Sequence, residues 1–258
     1  MISLHLTEVA GPPGAPLLVL GPSLGTSTIL WEKTLPALTA RYRVVAWDLP
    51  GHGGSAPARE AFSVGDLADA VAAAVDESAF LYAGVSLGGA TGLELMLRHP
   101  GRVATAAIVA SGARLGDPES WHERAAQVRA QSTSSVIIAS AQRWFAEGSV
   151  AREPELTGRL LHALQDADDE SYARCCEALA RYDVRGELGR ITAPVLAVWG
   201  REDRVAPEEK SREIAEGVVD GRVAVVEDAA HLPPAEQPEA TARILADFFD
   251  HETGGDGR

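Results

Sequence analysis

Residues 84 to 89 read Gly84-Val85-Ser86-Leu87-Gly88-Gly89. Before them lies a short apolar run, Ala79-Phe80-Leu81-Tyr82-Ala83, and after them a segment with Leu93, Met96 and Leu97 at helical spacing. The pattern predicts a buried strand, a tight turn and a helix in succession, with a G-x-S-x-G signature at the turn. A serine on so sharp a turn takes a positive φ. The residues two places either side of it must be small, and Gly84 and Gly88 meet that demand. The hydroxyl then stands clear of the sheet edge, where the first N–H groups of the following helix also point.

The chain has 258 residues, enough for one large domain or for a core domain with a small insert. A hydrophobic share of 46% predicts a folded globular protein rather than a disordered one. With 37 acidic against 23 basic residues the formal charge is −14, which argues against nucleic acid and anionic membranes as partners. The two cysteines, Cys175 and Cys176, are adjacent; neighbours on a helix diverge too far to bond, and nothing has zinc-site spacing. The N-terminus lacks a basic and apolar leader pattern, and no apolar run approaches the roughly 18 residues of a spanning helix. A cytoplasmic protein is expected.

Strand and helix patterns alternate along the first part of the chain. Ile2 to Val9 reads as an edge strand, Leu17 to Leu20 as a buried strand, Thr28 to Thr39 as a helix weakened by Pro36, and Tyr42 to Trp47 as a strand. A helix from Ser63 to about Val75, the elbow strand with its helix, and a strand from Val103 to Ala110 follow. Such alternation predicts an α/β fold with a mostly parallel central sheet covered by helices on both faces. From about Arg114 to Tyr182 there are helical patterns only; strands resume at Pro194 to Trp199 and Arg222 to Val226, before a last helix over about 235–249. The expected organisation is a core made of residues 1–113 and 183–250, an inserted all-helical cap over 114–182, and a flexible tail over 251–258.

A serine hydroxyl needs a base to take its proton, and the base needs an anion to orient it. On a scaffold that presents Ser86 this way, the acid and the histidine follow later in the chain, in that order. The acid is expected after the strand ending at Trp199, where Gly200-Arg201-Glu202-Asp203 offers two carboxylates. Asp203 has the expected Gly-x-x-Asp placement, Glu202 is expected to face solvent, and Asp228 is a third contender. The base is expected in the loop after the last strand, at His231 in Ala229-Ala230-His231-Leu232-Pro233. His52 precedes the elbow and is read as a structural loop residue near the site. An oxyanion hole needs two backbone donors. One is the N–H of Leu87. The other belongs to Gly21-Pro22-Ser23-Leu24-Gly25-Thr26-Ser27, with Leu24 preferred, Ser23 as alternative, and Pro22 unable to donate.

These features together resemble the α/β-hydrolase fold, and within it the 3-oxoadipate enol-lactonases. Four stretches carry the likeness: Gly21 to Ser27 followed by Trp31; Trp47-Asp48-Leu49-Pro50-Gly51-His52-Gly53; Ala83 to Gly89; and Tyr172 to Asp183 running into Leu188 to Pro194. The resemblance spans residues 2 to 250. It implies hydrolysis of a small anionic enol-lactone through an acyl-enzyme on Ser86, with no metal or organic cofactor. Some relatives carry a fused decarboxylase domain, and that second activity is not expected here. An anionic substrate on so acidic a protein calls for a local counter-group, and Arg114, Arg124 and Arg143 are the candidates. Trp31, Trp121 and Trp144 are candidate pocket walls. A general carboxylesterase or other small-lactone hydrolase, a cofactor-free haloperoxidase or perhydrolase, and a ligand-binding protein without turnover are the alternatives. An aspartate-nucleophile hydrolase is disfavoured by Ser86 itself. The sequence does not encode an evident oligomeric state.

Overall fold

The computed structural model describes residues 2–254. Six strands form one sheet: β1 (Leu17–Gly21), β2 (Arg43–Ala46), β3 (Phe80–Val85), β4 (Val103–Val109), β5 (Val195–Gly200) and β6 (Gly221–Val226). Every pairing is parallel, in the order β2-β1-β3-β4-β5-β6. β1, β3 and β5 are buried along their whole length, which is why they read as unbroken apolar runs rather than alternating ones. Parallel strands need crossovers. These contain α1 (Leu35–Leu38), α2 (Val64–Ala74) and α3 (Leu87–Arg98), with α9 (Glu208–Gly217) between β5 and β6.

Because the strands are parallel, their C-terminal ends share one edge. The loops after β1, β2, β3, β5 and β6 therefore meet there, although they are far apart in the chain.

Between β4 and β5 the chain leaves the sheet and forms α4 (Pro118–Gln131), α5 (Ile137–Trp144), α6 (Ser149–Arg152), α7 (Pro154–Asp166) and α8 (Asp169–Ala180), an all-helical cap. The two crossings are pinned together at its base, where Val184 N–H donates to Ala113 O at 2.9 Å. The start of α8 is tied to the loop after β2. Asp168 N–H donates to Gly51 O at 2.8 Å, and Ala58 N–H donates to Ser171 Oγ at 2.9 Å. Gly51 has φ 69°, and a Cβ there would meet Ser171 Oγ at 2.5 Å, so glycine is what allows the approach. Surface ion pairs, Arg159 with Glu32 at 2.6 Å and Lys33 with Glu153, join α6–α7 to the segment after β1 and contribute little individually.

The structure departs from the sequence expectations in several places. Ile2 to Val9 makes no continuous ladder, only antiparallel bridges Leu6–Trp47 and Ala10–Val44. Between them the hydroxyl of Thr7 takes the N–H of Ala46 at 3.0 Å, a bond to a side chain where a ladder would use backbone. The expected helix Thr28 to Thr39 is split into a 3₁₀ turn, Thr28–Trp31, and the short α1, whose first turn accommodates Pro36. The last helix is divided by Pro238 into α10 (Pro233–Glu236) and α11 (Pro238–Gly254). Helix α9 was not anticipated. Residues 251–254, expected in a flexible tail, continue α11, where Arg222 pairs with Glu252 and Thr253 Oγ1 donates to Phe249 O at 2.8 Å. Residues 255–258 of that tail lie outside the described residues.

Candidate active site

Ser86 lies between β3 and α3 with φ 55° and ψ −112°, the positive φ that the glycine spacing predicts. For a residue with a Cβ this costs on the order of 1–3 kcal/mol and persists only where its surroundings over-determine it. Here they do. Ser86 N–H donates to Val109 O at 2.9 Å, and Ser86 O accepts from Ser111 Oγ at 2.7 Å and from Ala90 N–H at 2.9 Å. A Cβ on Gly84 would overlap the backbone of Gly88, and one on Gly88 would meet Pro22 O at 2.6 Å. The close approach at Gly88 lets its N–H donate to Pro22 O at 2.9 Å, joining the elbow to the loop after β1. Ser86 is 7% exposed, and its hydroxyl has no hydrogen-bond partner among the described residues.

The loop after β1 is folded on itself. Ser23 N–H donates to Thr26 Oγ1 at 3.1 Å, Thr26 N–H donates to Ser23 O at 3.0 Å, and Gly25 N–H donates to Nε2 of His52 at 3.3 Å. Between Ser23 and Thr26 the Leu24 N–H is the amide without a partner among the described residues, whereas that of Ser23 is occupied. Leu87 opens α3, so its N–H has no acceptor within the helix.

His52 has a defined role in this loop. Its Nδ1 lies 2.9 Å from Pro50 O, which can only accept, so Nδ1 carries the proton and Nε2 is free to accept from Gly25. Burial drives its pKa down to about 4, against the opposing influence of the Pro50 carbonyl and Asp168. The ring stacks on Tyr172 of α8, with centroids 6.1 Å apart. Asp48 supports the same region from below. One oxygen accepts Thr28 N–H at 2.8 Å and the other accepts Gly54 N–H at 2.9 Å.

Beyond β5, Asp203 is 5% exposed and its Oδ2 lies 2.9 Å from Nδ1 of His231, which is 3% exposed. Oδ1 accepts from Val205 N–H at 2.7 Å and Ala206 N–H at 3.1 Å. Burial alone would raise the Asp203 pKa. The charge and hydrogen bond of His231, with the two amides, outweigh it and hold the carboxyl below its ordinary value. Glu202 and Asp228 are both exposed, and neither contacts His231. Gly200 is the hinge of this pairing, since a Cβ there would overlap the carbonyl of Ala230. Trp144, at the end of cap helix α5, closes the arrangement. Its carbonyl accepts His231 N–H at 3.1 Å, and its ring lies 3.3 Å from where a Cβ on Gly25 would be.

The structure separates the candidate binding residues. Trp31 is not a pocket wall: it is fully enclosed, and its Nε1 donates to Gly21 O at 3.0 Å, bracing the base of the loop after β1. Trp121 is half-buried, donates to Leu115 O at 2.7 Å and carries the guanidinium of Arg124 at 5.4 Å from its ring. Arg124 also lies beside Tyr172 and Cys176, within the α4–α8 pair. Arg114 is near Asp183 at the base of the cap. Arg143 stands apart: its Nη2 is buried and has no partner, on the same helix as Trp144. A cleft of about 800 Å³ between Pro50, residues 56–62 and α2 includes none of Ser86, Asp203 and His231. No helix among the described residues is long and apolar enough to cross a membrane.

The residues missed by sequence reasoning are those that hold others in place: Asp48, Ser111, and the Gly25 contact of His52. Only Asp48 had a readable signal, as a buried acid directly after an apolar strand.

The comparisons with known proteins agree with this fold. A family described as alpha/beta hydrolase fold matches residues 16–238. The chain is 33% identical over 233 residues to 3-oxoadipate enol-lactonase 2 of Acinetobacter baylyi, covering 89% of this chain and 87% of that one. It is 31% identical to a pimeloyl-[acyl-carrier protein] methyl ester esterase of Neisseria meningitidis, over 88% of this chain and 90% of that one. Among solved structures, the enol-lactonase from Burkholderia xenovorans LB400 superposes with a TM-score of 0.91 at 31% identity, covering 95% of this chain and 96% of that one.

The neutral, buried His52 has a consequence for stability. Its pKa falls from about 6.5 in the unfolded chain to about 4 in the fold, so the unfolded state binds more protons between those values. The stability it contributes is fully present above about pH 6.5, and about 3 kcal/mol is lost as the pH falls to about 4. Urea unfolding at stepped pH should show this slope in the wild type and a shallower one in His52→Gln; equal slopes would refute it.

Proposed function

This chain belongs to the α/β-hydrolase family, and we propose that within it the protein is a serine hydrolase that opens 3-oxoadipate enol-lactone to 3-oxoadipate in the breakdown of aromatic compounds. The observation that carries the reading is the Asp203–His231 bond of 2.9 Å on the sheet edge that also presents Ser86. Since Nδ1 of His231 faces Asp203, Nε2 is the nitrogen left to act on the serine. The Ser86–His231 hydrogen bond that the reaction requires is of the kind that forms in full only when substrate binds.

In the proposed reaction Nε2 of His231 takes the proton of Ser86 as Oγ attacks the lactone carbonyl. The tetrahedral oxyanion is held by the N–H groups of Leu24 and Leu87. Collapse breaks the bond to the ring oxygen. That enolate leaves, takes the proton from His231 and ketonises. Water, deprotonated by His231, then attacks the acyl ester and frees Ser86. Asp203 keeps the imidazole in the right tautomer and stabilises its cation in both halves. The chemistry calls on no metal or organic cofactor. Arg143 is the counter-group best placed for the substrate carboxylate, because its buried Nη2 lacks any other anion to meet. The likeness to enol-lactonases covers most of both chains and supports the lactone; the esterase likeness keeps small esters as the alternative substrate class.

The direct test is loss of enol-lactone absorbance with purified protein, beside a panel of p-nitrophenyl esters. Turnover of the lactone well above every ester supports the proposal, and broad ester turnover without lactone preference rejects it. Ser86→Ala should lower kcat on the order of 10⁴ to 10⁶-fold. Asp203→Asn should be severe but incomplete; a silent Asp203→Asn with a crippled Asp228→Asn would reassign the acid.

Arg143→Gln should raise KM for the anionic lactone about tenfold or more while changing KM for neutral p-nitrophenyl acetate by less than about twofold. Equal effects on both substrates, or none, would remove Arg143 from carboxylate binding.

A further inference from the structure

The loop Ala230-His231-Leu232 places all three of its N–H groups on acceptors outside the loop. His231 N–H goes to Trp144 O, while Ala230 N–H at 2.8 Å and Leu232 N–H at 3.3 Å both go to Oε1 of Glu236. The other carboxylate oxygen, Oε2, accepts from Ala146 N–H at 2.6 Å and from the Ser149 hydroxyl at 2.8 Å. Ala146 and Ser149 form the joint between α5 and α6 of the cap. Glu236 is 5% exposed and meets no cation among the described residues; Arg152 donates to Ser149 Oγ at 2.8 Å and to the carbonyls of Glu147 and Asp228, not to Glu236.

A carboxylate without a cation is costly to bury unless its lone pairs are filled. Burial pushes the Glu236 pKa up, and the four donors act against that rise. If the only need were to start α10, Ser or Asp in the preceding turn would suffice. Glu236 instead divides its two oxygens between two separate pieces of the molecule. Two donors come from the histidine loop and two from the cap.

We propose that Glu236 is a positioning residue for the hydrolytic reaction, tying the loop that carries His231 to the α5–α6 joint so that the imidazole is held in register only while the cap is seated. This rests on His231 being the base. A glutamine cannot replace it, because one of its two heteroatoms is a donor and would face donors. An aspartate keeps both oxygens but is one methylene too short to span both pieces.

The test uses the full-length protein, p-nitrophenyl acetate hydrolysis, and the low-field proton NMR signal of the Nδ1 proton shared by His231 and Asp203. Glu236→Gln is expected to lower kcat about tenfold or more with KM within about twofold. The low-field signal should shift or broaden, and Glu236→Asp should not restore the rate. Ser149→Ala leaves Glu236 in place and removes one cap donor; it is expected to lower kcat about threefold and to move the same signal. A folded Glu236→Gln protein with unchanged kcat overturns the proposal, as does one whose kcat falls while the His231 signal stays where it was. Should Glu236→Gln fail to fold, Ser149→Ala decides, and an unchanged rate and signal there overturn it. Ser86→Ala and His231→Ala separate the two levels of inference. If they retain full activity, the hydrolase reading has failed; if they are inactive and Glu236→Gln matches wild type, only the positioning role has.

Discussion

The positive φ of Ser86 is the constraint on which the rest of the site depends. A strained residue stays strained only if every relaxed alternative is blocked. At Ser86 the restraints come from three directions: the end of β4 through Val109, the segment after β4 through Ser111, and the loop after β1 through Pro22. β3 lies between β1 and β4 in the sheet, so these neighbours are available because of strand order. The same contact that holds the elbow, Gly88 N–H on Pro22 O, also sets the height of the loop bearing Leu24. Ser86 and the amides of Leu24 and Leu87 are thereby positioned by a single piece of backbone packing.

The cap supports the other half. It reaches the loop after β2 through Asp168 and Ser171, the loop after β1 through Trp144 and Leu164 against Gly25, and the histidine loop through the Trp144 carbonyl. His52 links the first two of these, accepting from Gly25 while stacking on Tyr172. So Ser86 is held from the sheet, whereas His231 and the loop after β1 are held jointly by sheet and cap. Electrostatics follow the same division. The surface acids that make the net charge −14 act through solvent and are screened within about 10 Å at ordinary salt. A partly buried guanidinium such as that of Arg143, with its Nη2 enclosed, is screened less, and so can attract an anion locally on an acidic protein.

What could be read from the sequence was what is local. The elbow declares itself because its demand, small residues two places either side of a serine, is met within five positions. Asp203 declares itself because Gly200 ends a strand that is apolar throughout. That the Ser23 amide is engaged and the Leu24 amide is not follows from a bond from Ser23 to Thr26, which spacing permits but does not require. Trp31 was misread because an indole at helical spacing looks the same whether it walls a pocket or, as here, braces Gly21 from inside. The contacts that stayed invisible act at long range: His52 reaches Gly25 across 27 positions, and Glu236 reaches Ala146 across 90. The same holds for residues 251–254, made helical in part by an ion pair to Arg222 on β6.

The proposed lactone and a carrier-borne ester differ in what must leave the site after the first step. When an ester is cleaved, the alcohol departs and must have a way out before water can act. When a lactone ring is opened, the leaving oxygen stays attached to the acyl group and remains beside the carbonyl it left. With an ordinary alcohol that arrangement would invite re-closure. An enol escapes it by becoming a ketone, which is no longer a nucleophile. The reaction can then run to completion under a seated cap, in a site where Ser86 and His231 are 7% and 3% exposed. Trp144, which packs on Gly25 and whose carbonyl accepts the N–H of His231, makes the seating of the cap one of the supports of the loop that carries the imidazole.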